Sequence, residues 1–217
     1  MNKEEQYKIY ENGYNLHIYK LISKNKKILE VGCNTGNLGH NLIKNKGCIV
    51  YGLDYSKKAI NIAKTRLTKA IVFDLETYKT PFKNETFDII IFGDVLEHIR
   101  YPEIVLSKFK KLLTKDSIII ASIPNVANIN IRLQLLFGNF NYKPSGILDQ
   151  THLRFFTKKS VKKMFTKQNY KIIKIDSTPG FNFIILRHFK LLIKIKKIIC
   201  KMYSKLFALQ FIVIAKK

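Results

Sequence analysis

The stretch Lys27-Ile28-Leu29-Glu30-Val31-Gly32-Cys33-Asn34-Thr35-Gly36-Asn37-Leu38 constrains the fold more than any other part of the chain. A short apolar run ends in an acid and a glycine-spaced turn, and a helix-like segment follows. That order reads as strand, tight loop and helix N-terminus. Nucleotide cofactors bind at such junctions, because glycine lets backbone approach a ligand closely and the first helical turn presents its N–H groups. The spacing is Glu30-x-Gly32-x-Asn34-x-Gly36, with an acid inside the strand, and not the G-x-G-x-x-G of dinucleotide-binding folds.

The alternation continues along the chain. Strands are expected at Lys27–Cys33, Cys48–Tyr55, Ala70–Asp74, Phe87–Gly93 and Asp116–Ser122. The helices between them are Asn37–Lys46, a Ser56-capped helix to Leu67, and one from Pro102 to Leu113. Continuous apolar strands separated by amphipathic helices indicate a parallel sheet covered on both faces. After Pro124 the pattern is irregular. A helix is expected at Ile129–Phe137, then a loop marked by Pro144 and Gly146, the segment from Asp149 to Phe156, and a helix Lys158–Lys167 capped by Thr157. A strand Tyr170–Ser177, a long helix Asn182–Leu206 and a last strand Phe207–Ala215 complete the chain. Ahead of it all, Tyr7, Tyr10, Tyr14, His17 and Tyr19 suit either a short helix against the cofactor mouth or simple amphipathic packing. With 217 residues and 47% hydrophobic content, one domain over 1–217 accommodates all of this.

Asp54 ends the second strand twenty-four residues after Glu30, close to the spacing at which an acid meets a ribose in nucleotide-binding α/β folds. Asp74 ends the third strand. The glycine loop, Asp54 and Asp74 in series resemble the class I S-adenosylmethionine (SAM) methyltransferases over residues 27–125. Asn34 stands where their first motif usually has a middle glycine, a mild departure because Asn tolerates left-handed backbone. The resemblance implies a Rossmann-like, doubly wound, mostly parallel α/β sheet of seven strands, with an antiparallel edge and an insertion before the last strand. It implies SAM as cofactor, Asp54 on the ribose diol and Asp74 at the adenine amine. Glu30, Gly32, Cys33, Asn34, Gly36, Tyr55, Leu75, Gly93 and Asp94 complete the expected cofactor contacts.

Gly93-Asp94-Val95-Leu96-Glu97-His98-Ile99 is similar to the D-V-L-E-H segment of the small-molecule branch of these enzymes. The Asp/Asn-Pro-Pro-aromatic motif of amino-group nucleic-acid methyltransferases is absent there, and Ile123-Pro124-Asn125 lacks the Pro-Cys of the cytosine-C5 enzymes. Nucleic acid is therefore not the expected acceptor. Pro124–Ala127, Ile131–Gly138 and Asp149–Thr157 resemble bacterial methyltransferase-domain proteins linked to polysaccharide biosynthesis, and Arg132–Leu136 is also similar to the methionine-biosynthesis protein MetW. The expected reaction is methyl transfer to a small-molecule or glycan-related acceptor, lipid-linked acceptors included, shaped by residues 126–157. A MetW-like protein serving a partner enzyme and an RNA methyltransferase are the alternatives. Transfer to oxygen profits from a general base, for which His152, and His98 with Glu97, are the candidates.

The net charge of +24 favours polyanionic partners, and from Leu153 to Leu206 the only acid is Asp176; nearly all the excess is Lys, which also fits a compositional bias. Arg187, Lys190, Lys194, Lys197, Lys201 and Lys205 fall on one stripe of the expected helix, with an apolar remainder. Such a helix in 182–206 can lie in an anionic membrane interface, or cover the protein's own sheet or a dimer partner. Cys33, Cys48 and Cys200 share no metal-ligand spacing, so neither disulfide nor metal is expected. The polar start of the chain has no apolar signal segment, and a cytoplasmic protein, peripheral to the inner membrane face if that helix binds lipid, is expected.

Overall fold

The computed structural model describes residues 13–179 and 198–217. Its strands are β1 (Lys27–Val31), β2 (Ile49–Asp54), β3 (Lys69–Val72), β4 (Phe87–Gly93), β5 (Leu113–Pro124), β6 (Lys171–Pro179) and β7 (Ala208–Lys216). They form one sheet in the order β3-β2-β1-β4-β5-β7-β6. β1 to β5 pair in parallel, and β7 runs antiparallel between β5 and β6. The helices named below are α1 (Leu16–Leu21), α2 (Asn37–Lys46), α3 (Lys57–Ala63), α4 (Pro102–Phe109), α5 (Ile129–Leu136) and α6 (Lys158–Lys167).

The parallel strands are apolar throughout because both of their faces are covered. Leu29, Val31, Ile90 and Phe92 enter one core with Val105, Leu106 and Phe109 of α4 and Val161, Met164 and Phe165 of α6. The alternate residues Ile28, Ile89 and Ile91 enter a second core with Ile18 of α1, Leu38 and Leu42 of α2, and Ile60 and Ala63 of α3. Each fully buried Leu, Ile or Phe contributes about 1.5–3 kcal/mol of transfer free energy, so both layers hold the sheet. The chain runs outward through β1, β2 and β3, then returns to place β4 on the other side of β1. At that reversal the carboxyl ends of β1 and β4 leave a crevice, the position at which α/β sheets bind ligands.

Several boundaries differ from expectation. The Ser56-capped helix ends at Ala63, short of Leu67. Leu67 instead packs where Gly36, Gly39 and Gly52 have no side chains; a Cβ on Gly39 or Gly52 would lie 2.4 or 2.5 Å from it. α4 stops at Phe109 and tightens into a 3-10 turn over Lys110–Leu112, so β5 begins at Leu113, with a register shift against β4 between Phe87 and Ile89.

Tyr7 and Tyr10 lie outside the described residues, as does most of the amphipathic helix expected over 182–206. In its described remainder, 198–202 is helical, Tyr203 departs from helical geometry (φ −115, ψ 45), and a separate short helix spans Ser204–Phe207. One unbroken helix to Leu206 is therefore corrected: the chain turns at Tyr203 before Ala208 enters β7. Cys200 is buried there while Ile198 and Met202 are exposed, so the apolar stripe is not simply turned inward. No described helix is long and apolar enough to cross a membrane.

Candidate active site

The glycine loop after β1 is held by backbone bonds that its sequence makes possible. Gly32 adopts φ 71, and the N–H groups of Gly32 and Cys33 both donate to the Leu53 carbonyl, at 2.7 and 2.9 Å. A Cβ on Gly32 would sit 2.3 Å from Val95 Cγ2, so glycine is required by contact as well as by φ. Asn34 takes φ 49, and its side-chain oxygen accepts from Thr35 N. Gly36, at φ 77, is the N-cap of α2 and faces Leu67; it shapes the loop without lining the cavity.

The acids expected at the strand ends divide by role. Asp54 is buried and accepts from Asn34 N at 2.9 Å and Ser56 N at 3.0 Å, so it fixes the glycine loop and the start of α3 at once. Glu30 lies beneath the loop and accepts from Gly39 N at 3.1 Å. Loss of water raises its pKa to about 8; the Gly39 donor offsets part of this and the Asp54 charge adds to it. Glu30 is therefore largely protonated at neutral pH. Asp74 is exposed at the rim and caps the 3-10 turn Leu75–Thr77 through Glu76 N. Burial beside Glu30 and Asp54 pushes the Cys33 thiol well above its usual range, and Cys33 acts as a buried spacer against Gly52.

Across the crevice, Asp94 sits at φ 55 with its N–H on Ser122 Oγ, and its Oδ1 accepts from Gln210 of β7. Asn15, which caps α1, donates to that same Gln210 and brings the first helix to the cavity mouth. Glu97 is 1% exposed, and no donor among the described residues reaches either of its carboxyl oxygens. Burial raises its pKa well above the usual carboxylate range; the Asp94 and Asp149 charges raise it further, and only its own backbone N–H, outside hydrogen-bond geometry, offsets part of this. The Glu97 backbone carbonyl accepts from Leu153 and Arg154, which brings His152 beside His98 with ring centroids 4.8 Å apart. His98 Nδ1 lies 3.2 Å from the Thr151 carbonyl, and His152 Nδ1 lies 3.0 Å from the Ile147 carbonyl. Burial lowers the pKa of both imidazoles, and the neutral form prevails near pH 7.

One cavity of about 1220 Å³ joins the two sides. Glu30, Gly32, Cys33, Asn34, Asp54, Tyr55, Asp74, Leu75, Gly93, Asp94, Glu97, His98 and His152 all line it; of the expected site residues Gly36 alone does not. Other contributors carried no spacing signal. Arg66 Nη1 bonds the Thr35 carbonyl, the Thr35 hydroxyl and Asn37 Oδ1, which ties α3 to the glycine loop. Glu76 accepts from Arg100 N and so joins the ends of β3 and β4. Such partners are distant in sequence, and only the fold brings them together.

A cavity with an acid at the end of β2 and a glycine loop over a helix N-terminus fits an adenosyl ligand with a charged tail. Residues 7–175 match the family described as "Methyltransferase domain". A ubiquinone biosynthesis O-methyltransferase of Haemophilus ducreyi is 31% identical over 109 residues, 46% of each protein. One of Pelagibacter ubique is 26% identical over 166 residues, 75% of this chain and 68% of that protein. The chain spans about half the length of most of the curated relatives it matches. A SAM-dependent methyltransferase structure from Archaeoglobus fulgidus superposes with TM-score 0.67 at 18% identity, over 93% of this chain and 91% of that one, a likeness of fold. The chain belongs to the methyltransferase-domain family.

Proposed function

We propose that the chain transfers the methyl group of SAM to a hydroxyl oxygen of a small-molecule acceptor, of phenolic or glycan type. The supporting observation is the single cavity shared by the glycine-loop side and the Glu97–His98–His152 side. Its volume exceeds the roughly 300–1,000 Å³ of a site for one drug-sized ligand, which leaves room for cofactor and acceptor together. The O-methyltransferase names of the curated relatives support oxygen as the acceptor atom.

Bound SAM supplies a methyl group on sulfonium sulfur, whose C–S bond breaks as the acceptor C–O bond forms. Asp54 would hold the ribose side while keeping Asn34 and Ser56 in place, and the Gly32–Thr35 loop, which lines the same cavity, would position the rest of the cofactor. In-line displacement depends mostly on positioning, and a rigid loop on a sheet end supplies that. His152, neutral and oriented by the Ile147 carbonyl, faces the acceptor side and is available to its hydroxyl proton. Exposed Ile198 and Met202 flank exposed Lys201, which supports membrane contact by 182–206 and a lipid-linked acceptor.

The test incubates the chain with SAM and fractionated small-molecule and lipid extracts, and follows S-adenosylhomocysteine together with a product heavier by one CH2. Matched formation of both is expected. A MetW-like role serving a partner is favoured by α5, where Leu136 and the following Phe137 are 76% and 75% exposed. Capture of a biosynthetic enzyme, with cofactor binding but no S-adenosylhomocysteine from any fraction, would establish that role instead.

A further inference from the structure

We propose that Glu97, His98 and His152 form a binding site for one divalent metal ion of the zinc type, on the acceptor side of the cavity. The inference rests on the reading of that side as the acceptor site. The ligand atoms of the three residues all lie within 4.8 Å of one another. Drawing them to the roughly 2.0–2.2 Å bonds of a tetrahedral zinc site needs a closing of only about 1–1.5 Å between ligands, within reach of side-chain rotation.

Two features separate this cluster from a chance grouping. Glu97 is buried, lines the cavity and has no hydrogen-bond partner or ion pair among the described residues. A buried carboxyl group without a partner is costly, and native proteins pair such groups with donors, cations or metals. The second feature is the orientation of the imidazoles. A carbonyl oxygen only accepts, so the contacts to Thr151 and Ile147 put the proton of each neutral ring on Nδ1 and leave the lone pair on Nε2. Metal-bound histidines are commonly fixed by this arrangement, with the far ring nitrogen donating to a backbone carbonyl. Two neutral imidazoles and one carboxylate suit zinc, cobalt or manganese better than the all-oxygen shells of calcium or magnesium.

Three protein ligands leave coordination positions open, and all three residues line the cavity. An acceptor oxygen there would be polarised by the ion. An imidazole occupied at Nε2 no longer takes a proton there, so the site would activate the acceptor by charge in place of base catalysis. The sequence carries no spacing signature of it, since His98 and His152 stand fifty-four residues apart. They meet because the Glu97 carbonyl binds the Leu153 and Arg154 amides.

The test titrates untagged, chelator-treated full chain with Co2+, followed by visible absorption and by calorimetry. One ion per chain is expected, displaced by Zn2+. Glu97→Gln, His98→Ala and His152→Ala should each weaken binding by more than the roughly 10–100-fold cost of losing an outer-layer partner. His40→Ala, at an exposed position of α2, should leave it unchanged. Binding of S-adenosylhomocysteine, measured in parallel, reports separately on the cofactor side and on the folding of each variant. On the unmutated chain, bound metal should protect His98 and His152, and not His17 or His40, from carbethoxylation mapped by peptide mass spectrometry. Binding of S-adenosylhomocysteine without Co2+ binding, equal Co2+ affinity in all variants, or no selective protection would each overturn the metal site. The cofactor reading would stand.

Discussion

The two walls of the cavity differ in how their polar groups are satisfied. On the β1–β2 side, the Asp54 carboxylate and the Glu30 carboxyl group accept backbone N–H groups from the loop and from the helices beside it. On the β4 side, Glu97 is equally buried and has no donor among the described residues. The first wall is held by its own local hydrogen bonds, whereas the second keeps a buried acid with no donor among the described residues. On the proposed reading that contrast divides cofactor binding from acceptor chemistry, and the two should fail independently when mutated.

The largest effect is expected at Gly32, the tightest point of the preformed wall. Gly32→Ala puts a Cβ 2.3 Å from Val95 Cγ2 at φ 71. Left-handed strain of about 1–2 kcal/mol and overpacking of about 1–3 kcal/mol should add. Chemical denaturation should show the loss, and Val95→Ala should restore the overpacking part only. Full restoration would mean that the conformation of Gly32 is not needed.

Next in size is His152→Ala, which should lower turnover by roughly 100-fold or more whether the imidazole takes a proton or holds an ion. Steady-state kinetics on an identified acceptor should show this in kcat while the KM for SAM stays near wild type. A matched loss in SAM affinity would erase the separation of the walls.

Glu30→Gln carries a pH signature. The folded-state pKa of Glu30, about 8, lies above its usual 4.5, so the native state holds the proton more tightly than the unfolded chain. Stability from this source is full below the usual value and is lost as pH rises towards the folded one, by up to about 1.4 kcal/mol per pH unit. Gln keeps an acceptor for Gly39 N and removes the titration. The variant should therefore match wild type near pH 4.5 and gain on it steadily up to about pH 8 in thermal melts. A constant difference across that range would show that Glu30 is not held protonated.

The smallest effect concerns membrane contact. Anionic vesicles at low salt should sediment the wild-type chain, and Lys201→Gln with Lys205→Gln should weaken vesicle affinity by roughly 30-fold, at about 1 kcal/mol per cation. Equal sedimentation of the variant would remove these two lysines from the contact.

What the sequence revealed follows the same division. α2, β4 and α6 lie at the expected residues because apolar period, glycine placement and the Thr157 cap are all local signals. The geometry of the β1–β2 wall was legible for that reason: Glu30, Gly32, Asn34 and Asp54 belong to two adjacent strands and one turn. The other wall was legible only as a set of candidates. Glu97, His98 and His152 are recognisable as reactive types, yet their juxtaposition depends on the bonds from Leu153 and Arg154 to the Glu97 carbonyl in the 3-10 turn after β4. Leu67 shows how a local signal loses. Its helical period extends α3, but the space over Gly36, Gly39 and Gly52 claims the side chain. Arg66, its neighbour, is drawn to Thr35 and Asn37 by the same turn.

Calorimetric titration of S-adenosylhomocysteine into wild type, Asp54→Ala and Glu97→Gln tests the central division most directly. Asp54→Ala removes two bonds to a buried carboxylate together with the group proposed to meet the ribose, and hydrogen bonds to charged groups contribute about 1.5–3 kcal/mol each. Affinity should fall by about 100-fold or more for Asp54→Ala and stay within about threefold of wild type for Glu97→Gln, if the proposed division of the cavity between cofactor and acceptor holds. Wild-type affinity in Asp54→Ala, or equal losses in both variants, would contradict the account.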